Sequence, residues 1–295
     1  MSTPTTHRGI LVGVDGSPAS KVAVDWAARD AALRKVPLTL IHVLTPPVVT
    51  TWPQTQMPPG FQEWQEAQGR DIIRDARRIV DSATQAESIQ VDSEMVTGPT
   101  VATLIDLSKD AEMMVVGSRG LHGLGRLLLT SVSSGLVHHA HCPVAVIYDE
   151  DPLMPHPAHA PVLVGIDGSP ASEAATAIAF AEASRRGVDL VALLAWRDTG
   201  FEDFPAIDAS TVQSLGEEVL AERLAGWQER YPDVTVHRVV VADHAAKHLV
   251  ERSESAQLVV VGSHGRGGFA GMLLGSVSSA VVQSARMPVI VARQS

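Results

Sequence analysis

Two glycine-rich phrases contain the residues of this chain whose types and spacing best suit phosphate binding. They are GSRGLHGLGRLLLTSVSS at residues 117–134 and GSHGRGGFAGMLLGSVSS at residues 262–279, and each follows a short apolar run. Glycines let backbone N–H groups converge on an anion, and a helix that begins after them adds a favourable dipole. The alternative is that these glycines form only a surface loop or a tight strand-to-helix turn. Because the phrase occurs twice, each time between a buried strand and helix-opening serines, we favour phosphate binding.

Two sequence repeats divide the chain into similar halves. ILVGVDGSPAS at residues 10–20 recurs as VLVGIDGSPAS at 162–172, and CPVAVI at 142–147 recurs as MPVIVA at 287–292. The first copy is longer, and its Pro- and Thr-rich segment 45–60 is the natural place for the extra residues, because loops absorb insertions at little cost. The repeats therefore predict tandem domains at 1–148 and 161–295, joined by a proline-containing linker at 149–160.

Each copy alternates strand patterns with helix patterns. ILVGV in the first copy is a short β-branched run without polar alternation, as expected for a strand buried on both faces. Four further strand patterns follow it, separated by segments with apolar residues at helical spacing, and the second copy repeats this order. This order predicts an α/β fold with a parallel sheet, right-handed crossovers and helices on both faces. Such sheets bind ligands outside the carboxyl ends of their strands. Both glycine phrases begin at that edge.

The second glycine phrase resembles a known signature. Gly262, Gly265, Gly275 and Ser276 form G-x2-G-x9-G-S, which resembles the ATP-binding signature of the universal stress protein family. VGIDGSPAS and MPVIVA extend the resemblance over both copies, in the manner of the tandem two-domain members found in mycobacteria. The resemblance implies two Rossmann-like domains, each a five-stranded parallel sheet of strand order 3-2-1-4-5. It also implies one ATP per domain, with Mg²⁺ as an optional companion of the phosphates.

The resemblance also implies a set of binding residues in each copy. The aspartate that ends the first strand would contact the nucleoside, and the glycine loop would hold the ribose and phosphates. Carried over by position, the set is Gly13, Asp15, Val43, Gly117, Ser118, Arg119, Gly120, Thr130, Ser131 and Val132 in the first copy, and Gly165, Asp167, Ala195, Gly262, Ser263, His264, Gly265, Arg266, Gly267, Gly275, Ser276 and Val277 in the second. Both aspartates also precede Gly-Ser, which is a common turn sequence, and the two roles are compatible.

The first copy departs from the signature at one position. Thr130 stands where the second copy has Gly275. If this position needs a positive φ, a β-branched threonine is strongly disfavoured there. If it needs only room beside a phosphate, the methyl group would crowd the ligand, whereas the hydroxyl could donate a hydrogen bond. We therefore expect the first site to be weaker, altered in preference or empty.

Composition and charge exclude several classes of function. The net charge is −10 without a concentrated basic segment, which disfavours nucleic acid as a partner. No apolar run approaches the roughly 20 residues that span a bilayer, and MSTPTTHRG does not read as a secretory signal. Cys142 is the single cysteine, as suits a reducing compartment. We expect a cytoplasmic protein that binds neither nucleic acid nor membrane.

No motif for dedicated catalysis is present. The chain lacks G-x-x-x-x-G-K-[ST] and G-x-S-x-G, and DGSP replaces G-x-G-x-x-G after each first strand. HHAHC at 138–142 contains zinc-ligand types, but the second copy has QSARM there and histidines suit a helix end, so we assign no metal site. Cys142 could respond to oxidants, although its counterpart Met287 favours packing. Trp52 and Trp64 flank the longer loop and could cover the first site or anchor the loop.

These observations together predict an ATP-binding, nucleotide-dependent sensor or regulator in stress or dormancy adaptation, not an enzyme. Two alternatives are an ATP-independent scaffold that acts through protein partners, and a slow ATP hydrolase. In the implied strand order, PVAVI and MPVIVA are apolar edge strands, and such edges tend to be paired. The resemblance suggests that they join domains or subunits, and we expect a homodimer through them, with a further protein partner of unknown identity.

Overall fold

The computed structural model describes residues 8–46, 59–84, 89–118, 129–148, 159–196, 209–266 and 273–293. Its contacts divide the chain into two compact units, Met1–Leu136 and Val137–Ser295. This division falls before the predicted boundary at residue 148, because the fifth strand of the first copy is paired within the second unit. The domain limits inferred from the repeats stay a prediction.

The described residues of the first unit form four parallel strands and the helices that connect them. The strands are β1 (Ile10–Gly13), β2 (Leu38–Leu44), β3 (Val91–Thr97) and β4 (Met113–Gly117), and the helices are α1 (Pro18–Arg34), α2 (Phe61–Ala83), α3 (Thr100–Leu107) and α4 (Ser131–His139), which begins in this unit. A 3₁₀ turn, Ser108–Asp110, follows α3. The strand order is β3-β2-β1-β4. The central strands β1 and β4 are almost entirely buried, as their unbroken apolar runs predict.

The described residues of the second unit form six strands. They are β5 (Val144–Ile147), β6 (Val162–Ile166), β7 (Leu190–Ala195), β8 (Val236–Val241), β9 (Leu258–Gly262) and β10 (Val289–Ala292), and the helices are α5 (Pro170–Arg186), α6 (Ala209–Arg230), α7 (Ala245–Ser253) and α8 (Ser276–Ser284). The strand order is β5-β10-β9-β6-β7-β8, and all neighbours are parallel except β5 and β10. The five strands of the second copy thus have the predicted order 3-2-1-4-5. The predicted α/β fold class is confirmed.

The fifth strands of the two copies pair with each other. Val144 lies opposite Val291 and Val146 lies opposite Val289 in an antiparallel register. β10 is therefore hydrogen-bonded along both edges, to β9 on one side and to β5 on the other. The expected homodimer through the fifth strands is wrong for β10, because no free edge is left there for a second chain.

Serine caps set the start of the first helix in each copy. The Ser17 Oγ accepts the Ser20 N–H at 3.2 Å, and Pro18 occupies the first turn. Ser169 caps α5 in the same way, through the Ser172 N–H at 3.2 Å. The sequence DGSPAS predicts this cap because serine satisfies a helix donor and proline tolerates the first turn. The cap fixes how the chain leaves the carboxyl end of β1 and of β6.

A buried ion pair occupies the same position of α1 and of α5. Arg34 Nε lies 2.6 Å from Asp30 Oδ2, with the two side chains 8% and 1% exposed. In α5, Arg186 Nη2 lies 2.9 Å from Glu182 Oε2, with 14% and 1% exposed. A buried carboxylate tolerates its desolvation only with such a partner. Each pair therefore constrains how the end of its helix packs.

Replacing Arg34 tests this constraint. We expect Arg34→Met to lower the free energy of unfolding by about 3–5 kcal/mol, because it leaves the buried Asp30 carboxylate without its guanidinium. Urea unfolding of the full chain measures the change. Arg29→Met is the matched control, since Arg29 pairs with Asp25 at the surface of the same helix, with 63% and 39% of the two side chains exposed. The control should change stability by no more than about 0.5 kcal/mol. Equal effects of the two variants would contradict the assignment.

Candidate functional site

Matching turns place Asp15 and Asp167 directly after β1 and β6. The Oδ1 atoms accept the N–H groups of Ser17 at 2.9 Å and Ser169 at 2.8 Å. The glycines that follow the aspartates have φ values of 81° and 76°, which a residue with a side chain rarely adopts. Both aspartates are half-buried. The turn-forming role is therefore present in both copies, and contact with a nucleoside stays a prediction.

In the second unit, the start of the glycine loop is bonded to the aspartate turn. The Arg266 N–H donates to Asp167 Oδ2 at 3.3 Å, and the Ser169 Oγ donates to the His264 carbonyl at 3.1 Å. A Cβ at Gly265 would lie 2.6 Å from Asp167 Oδ2. A side chain at this position would push the Asp167 carboxylate out of its present place. Four predicted residues thus come together: His264, Gly265 and Arg266 around Asp167.

The first glycine of each phrase serves helix packing. A Cβ at Gly117 would lie 2.8 Å from the carbonyl carbon of Ala19, and one at Gly262 would lie 2.8 Å from that of Ala171. Side chains are excluded at both positions because the backbone of the strand end touches the first turn of α1 or α5. This backbone contact accounts for both glycines without a ligand.

Four of the predicted nucleoside contacts lie within strands. A Cβ at Gly13 would lie at an ordinary 3.4 Å from a valine of β4, whereas one at Gly165 would lie 3.0 Å from Leu249 Cδ1 of α7. Val43 is half-buried near the end of β2, and Ala195 is the buried last residue of β7. The packing against α7 gives Gly165 a structural role of its own. Ligand contact by these four residues stays a prediction.

Helix α8 begins without a side-chain cap. Gly275 is its N-cap residue, with φ −71° and ψ 155°, and its N–H donates to the Ser263 carbonyl at 2.7 Å. The N–H groups at the start of a helix have no partner within it, and here they belong to Ser276, Val277 and the residue that follows. A Cβ at Gly275 would lie 3.4 Å from His264 Cα, so the position can accommodate a side chain in close van der Waals contact.

Helix α4 begins differently, because Thr130 caps it. The Thr130 Oγ1 accepts the Ser133 N–H at 3.2 Å, and the Thr130 N–H donates to the Ser118 carbonyl at 3.2 Å. Among the described residues, those with positive φ do not include Thr130 or Gly275. The idea that this position needs a positive φ is therefore wrong. Threonine is instead a favoured N-cap residue. Ser131 and Val132 follow it as the first residues of the helix.

The serines that follow the first glycines differ in their bonding. The Ser263 Oγ lies 3.0 Å from His264 Nδ1. The Ser118 Oγ is buried and has no hydrogen-bond partner among the described residues. Three predicted site residues, Arg119, Gly120 and Gly267, lie outside the described residues, as does Trp52.

Arg293 is a residue that the sequence did not single out. It follows β10, and its guanidinium donates to the carbonyls of Val137 at 2.5 Å and His138 at 2.8 Å near the end of α4. Burial lowers its pKa from the ordinary arginine value, and the neighbouring Cys142 thiol acts in the opposite direction. A cation suits the carbonyl end of a helix. A single arginine after the last strand has no local sequence pattern that reveals this role.

Four smaller features bear on the other expectations from the sequence. Cys142 is a free, buried thiol. The described parts of the chain contain no group of three or more His, Cys, Asp or Glu residues that could hold a metal ion. Within the same parts, every helix is too short or too polar to cross a bilayer. Trp64 is 57% exposed and lies 5.8 Å from Phe61 between ring centroids, which does not separate its two proposed roles.

Removing the threonine hydroxyl tests the cap on α4. We expect Thr130→Val to lower the free energy of unfolding by about 1 kcal/mol, because the Ser133 N–H loses its acceptor. Urea unfolding measures the loss. Ser131→Ala is the nearby control, since Ser131 is exposed and its replacement leaves the Thr130–Ser133 bond intact. A Thr130→Val protein as stable as the parent would contradict this assignment.

Comparisons with known proteins agree with this architecture. The family model described as the universal stress protein family matches residues 6–147 and 159–293. A universal stress protein of Mycobacterium tuberculosis H37Rv is 60% identical over 296 residues, covering 100% of this chain and 99% of the relative. A universal stress protein of Mycobacterium bovis is 56% identical, covering 100% of both. The crystal structure of a universal stress protein from Archaeoglobus fulgidus shares the fold, with a TM-score of 0.70 at 19% identity, covering 98% of this chain and 100% of that one. This chain belongs to the universal stress protein family, with two tandem domains.

Proposed function

We propose that this protein binds ATP at the carboxyl edge of each copy's sheet and acts as a nucleotide-dependent regulator in stress or dormancy adaptation, without being an enzyme. One observation carries the proposal. In the second unit, the uncapped start of α8 and the Asp167 carboxylate are held by the same four-residue stretch, Ser263 to Arg266. The N–H groups at the start of α8, which could donate to an anion, and the Asp167 carboxylate, which could accept from a hydroxyl group, therefore lie at the two ends of one short loop.

The start of α8 suits a phosphate. The first N–H groups of the helix lack partners within it, and the helix dipole favours negative charge there. Ser276 at the first position of the helix is an exposed residue. Gly275 supplies no side chain to occupy these donors. The Ser278 hydroxyl already donates to the Gly262 carbonyl and is therefore not free for a phosphate.

The Asp167 carboxylate suits a ribose. Its Oδ1 accepts the Ser169 N–H in the turn, at 2.8 Å. Its Oδ2 accepts only a longer bond, from the Arg266 N–H at 3.3 Å. A ribose hydroxyl donating to Oδ2 would make a shorter, charge-assisted bond. Occupancy would therefore compete with the loop's own contact, which links ligand binding to loop conformation.

The first site would differ because Thr130 already satisfies one of the helix donors. A phosphate at α4 would have to share the Ser133 N–H with the Thr130 hydroxyl, whose bond is 3.2 Å long. The buried Ser118 hydroxyl, which lacks a partner among the described residues, could compensate as a donor to the ligand. We propose weaker or altered nucleotide binding in the first copy. A cytoplasmic location and a homodimer through surfaces other than β10 belong to the same proposal.

Nucleotide content of the purified, denatured full-length chain tests this function. We expect one to two ATP per chain. Gly275→Asp should lose the ATP that is bound by the second copy, because the new carboxylate repels the phosphates while it still caps the helix. Gly275→Asn is the matched control, since it adds the same bulk and capping capacity without charge, and it should retain more nucleotide. Thr130→Gly should raise occupancy if the threonine weakens the first site.

Two results would contradict the proposal. The first is that no nucleotide is recovered and none binds when ATP is titrated back by calorimetry, which would favour the ATP-independent scaffold. The second is steady phosphate release that disappears in Asp167→Ala, which would make the protein a slow hydrolase. Retention of ATP without phosphate release above a protein-free blank supports binding without turnover.

A further inference from the structure

A groove with a row of arginines lies between α2 and the edge strand β3. We call it the arginine groove. Its lining includes Arg70, Arg74, Arg77 and Arg78 from the helix, and Ser93 and Met95 from the strand. The chain as a whole carries a net charge of −10. The lining also contains Asp81, so four arginines and one aspartate line the groove. Positive side chains therefore outnumber negative ones in this lining, although the chain as a whole is acidic.

Three of the four arginines, Arg70, Arg74 and Arg78, form ion pairs with exposed acidic side chains of the same helix. Arg70 lies 3.6 Å from Glu66 and Arg78 lies 2.7 Å from Asp75, and the two arginine side chains are 58% and 71% exposed. Arg74 pairs with Asp71 of the same helix and is 62% exposed. Exposed pairs of this kind contribute little to stability. An acidic ligand can therefore replace these partners at small cost.

The opposite wall of the groove is an open strand edge. The Leu38 N–H donates to the Gln90 carbonyl, and β2 and β3 pair in a parallel register. In such a ladder alternate residues turn their backbone groups to one side, so Ser93 and Met95 turn theirs away from β2. Among the described residues, β3 pairs with β2 alone. Arg77 Nη2 reaches this outer edge and donates to the Val91 carbonyl at 3.1 Å.

The helix and the strand have matching repeats. Residues four apart on a helix, such as Arg70, Arg74 and Arg78, are spaced by about 6 Å along its axis. Alternate residues on an extended strand are spaced by about 6.6 Å. A strand added to β3 would therefore bring every second side chain opposite a successive arginine.

We propose that the arginine groove binds an extended acidic segment of a partner protein. The segment adds to the outer edge of β3 through main-chain hydrogen bonds, and its alternate Asp or Glu side chains pair with Arg70, Arg74 and Arg78. Strand addition accounts for the position of the arginines beside a strand edge. A nucleic acid would need only their positive charge and not the strand edge. This interaction is independent of nucleotide binding.

The equivalent groove of the second copy has the opposite character. Between α6 and the edge strand β8 it is lined by Glu217, Glu218, Ala221, Val236, His237 and Arg238. The two glutamates would repel an acidic segment. The acidic partner is therefore expected to bind the first copy. The second groove serves as a control within the same chain, because it should not bind an acidic segment.

A designed peptide tests the groove on the full-length protein. The probe is a fluorescein-labelled octapeptide of alternating glutamate and threonine, and fluorescence anisotropy measures its affinity at low and at raised salt. We expect binding that weakens with salt. Arg70→Gln, Arg74→Gln and Arg78→Gln together should weaken it by about tenfold, the combined effect of three exposed ion pairs. Thermal unfolding checks that the variant remains folded.

The matched control removes three positive charges elsewhere. Arg29, Lys109 and Lys247 each pair with an acid of the same or an adjoining turn at the surface, and Arg29→Gln, Lys109→Gln and Lys247→Gln together should change the affinity by less than about twofold. A lysine-threonine peptide should not compete. Hydrogen exchange should show slower exchange of the amides in segment 91–97 when the glutamate peptide is bound.

Four results would overturn the proposal. They are no binding of the glutamate peptide, equal loss of binding in both triple variants, equal binding of the lysine peptide, and binding without protection of segment 91–97. A single-stranded RNA or polyphosphate that displaces the peptide and binds more tightly through the same arginines would reassign the groove to nucleic acid or free polyanions.

Discussion

The close contact between a strand end and the first turn of a helix is the constraint on which the rest of each site depends. At Gly117 and Gly262 the backbone lies so near Ala19 and Ala171 that a Cβ would meet a carbonyl carbon at 2.8 Å. This contact fixes where each glycine loop starts relative to the serine-capped helix. In the second unit the next glycine, Gly265, can then approach Asp167, and the loop is bonded to the aspartate turn. Gly117 and Gly262 thus serve packing first. The same packing places the start of each glycine loop at the edge of the sheet where a ligand would bind.

The sequence was sufficient for features with local causes. Serine before proline predicts the caps at Ser17 and Ser169, and unbroken β-branched runs predict buried parallel strands, because both depend on neighbouring residues. Features that depend on distant residues were not predictable in this way. Glycine at residue 275 permits many backbone conformations, and only the structure shows that its φ is −71°, which threonine also adopts. The partner of β10 and the role of Arg293 likewise depend on where distant segments meet.

The two copies share the features that hold their elements together, but they differ in residues at the surface. The aspartate turn, the helix cap and the buried ion pair occur at matching positions. The helix that follows the glycine loop is capped by Thr130 in one copy and left uncapped at Gly275 in the other. The groove beside β3 has four arginines and one aspartate in its lining, whereas the groove beside β8 has two glutamates and one arginine. In a duplicated domain, the shared interactions can maintain the stability of both copies while each copy acquires different surface residues.

The pairing of β5 with β10 has a consequence for synthesis on the ribosome. β5 ends at residue 147, but its antiparallel partner begins at residue 289, which is 142 positions later in the chain. At typical translation rates of about 5–20 residues per second, the strand waits roughly 7–28 s for that partner. All four residues of β5 are buried in the finished structure, so during this interval an apolar edge stays open. Completion of the β5 pairing thereby depends on a strand that is synthesised long after the first copy.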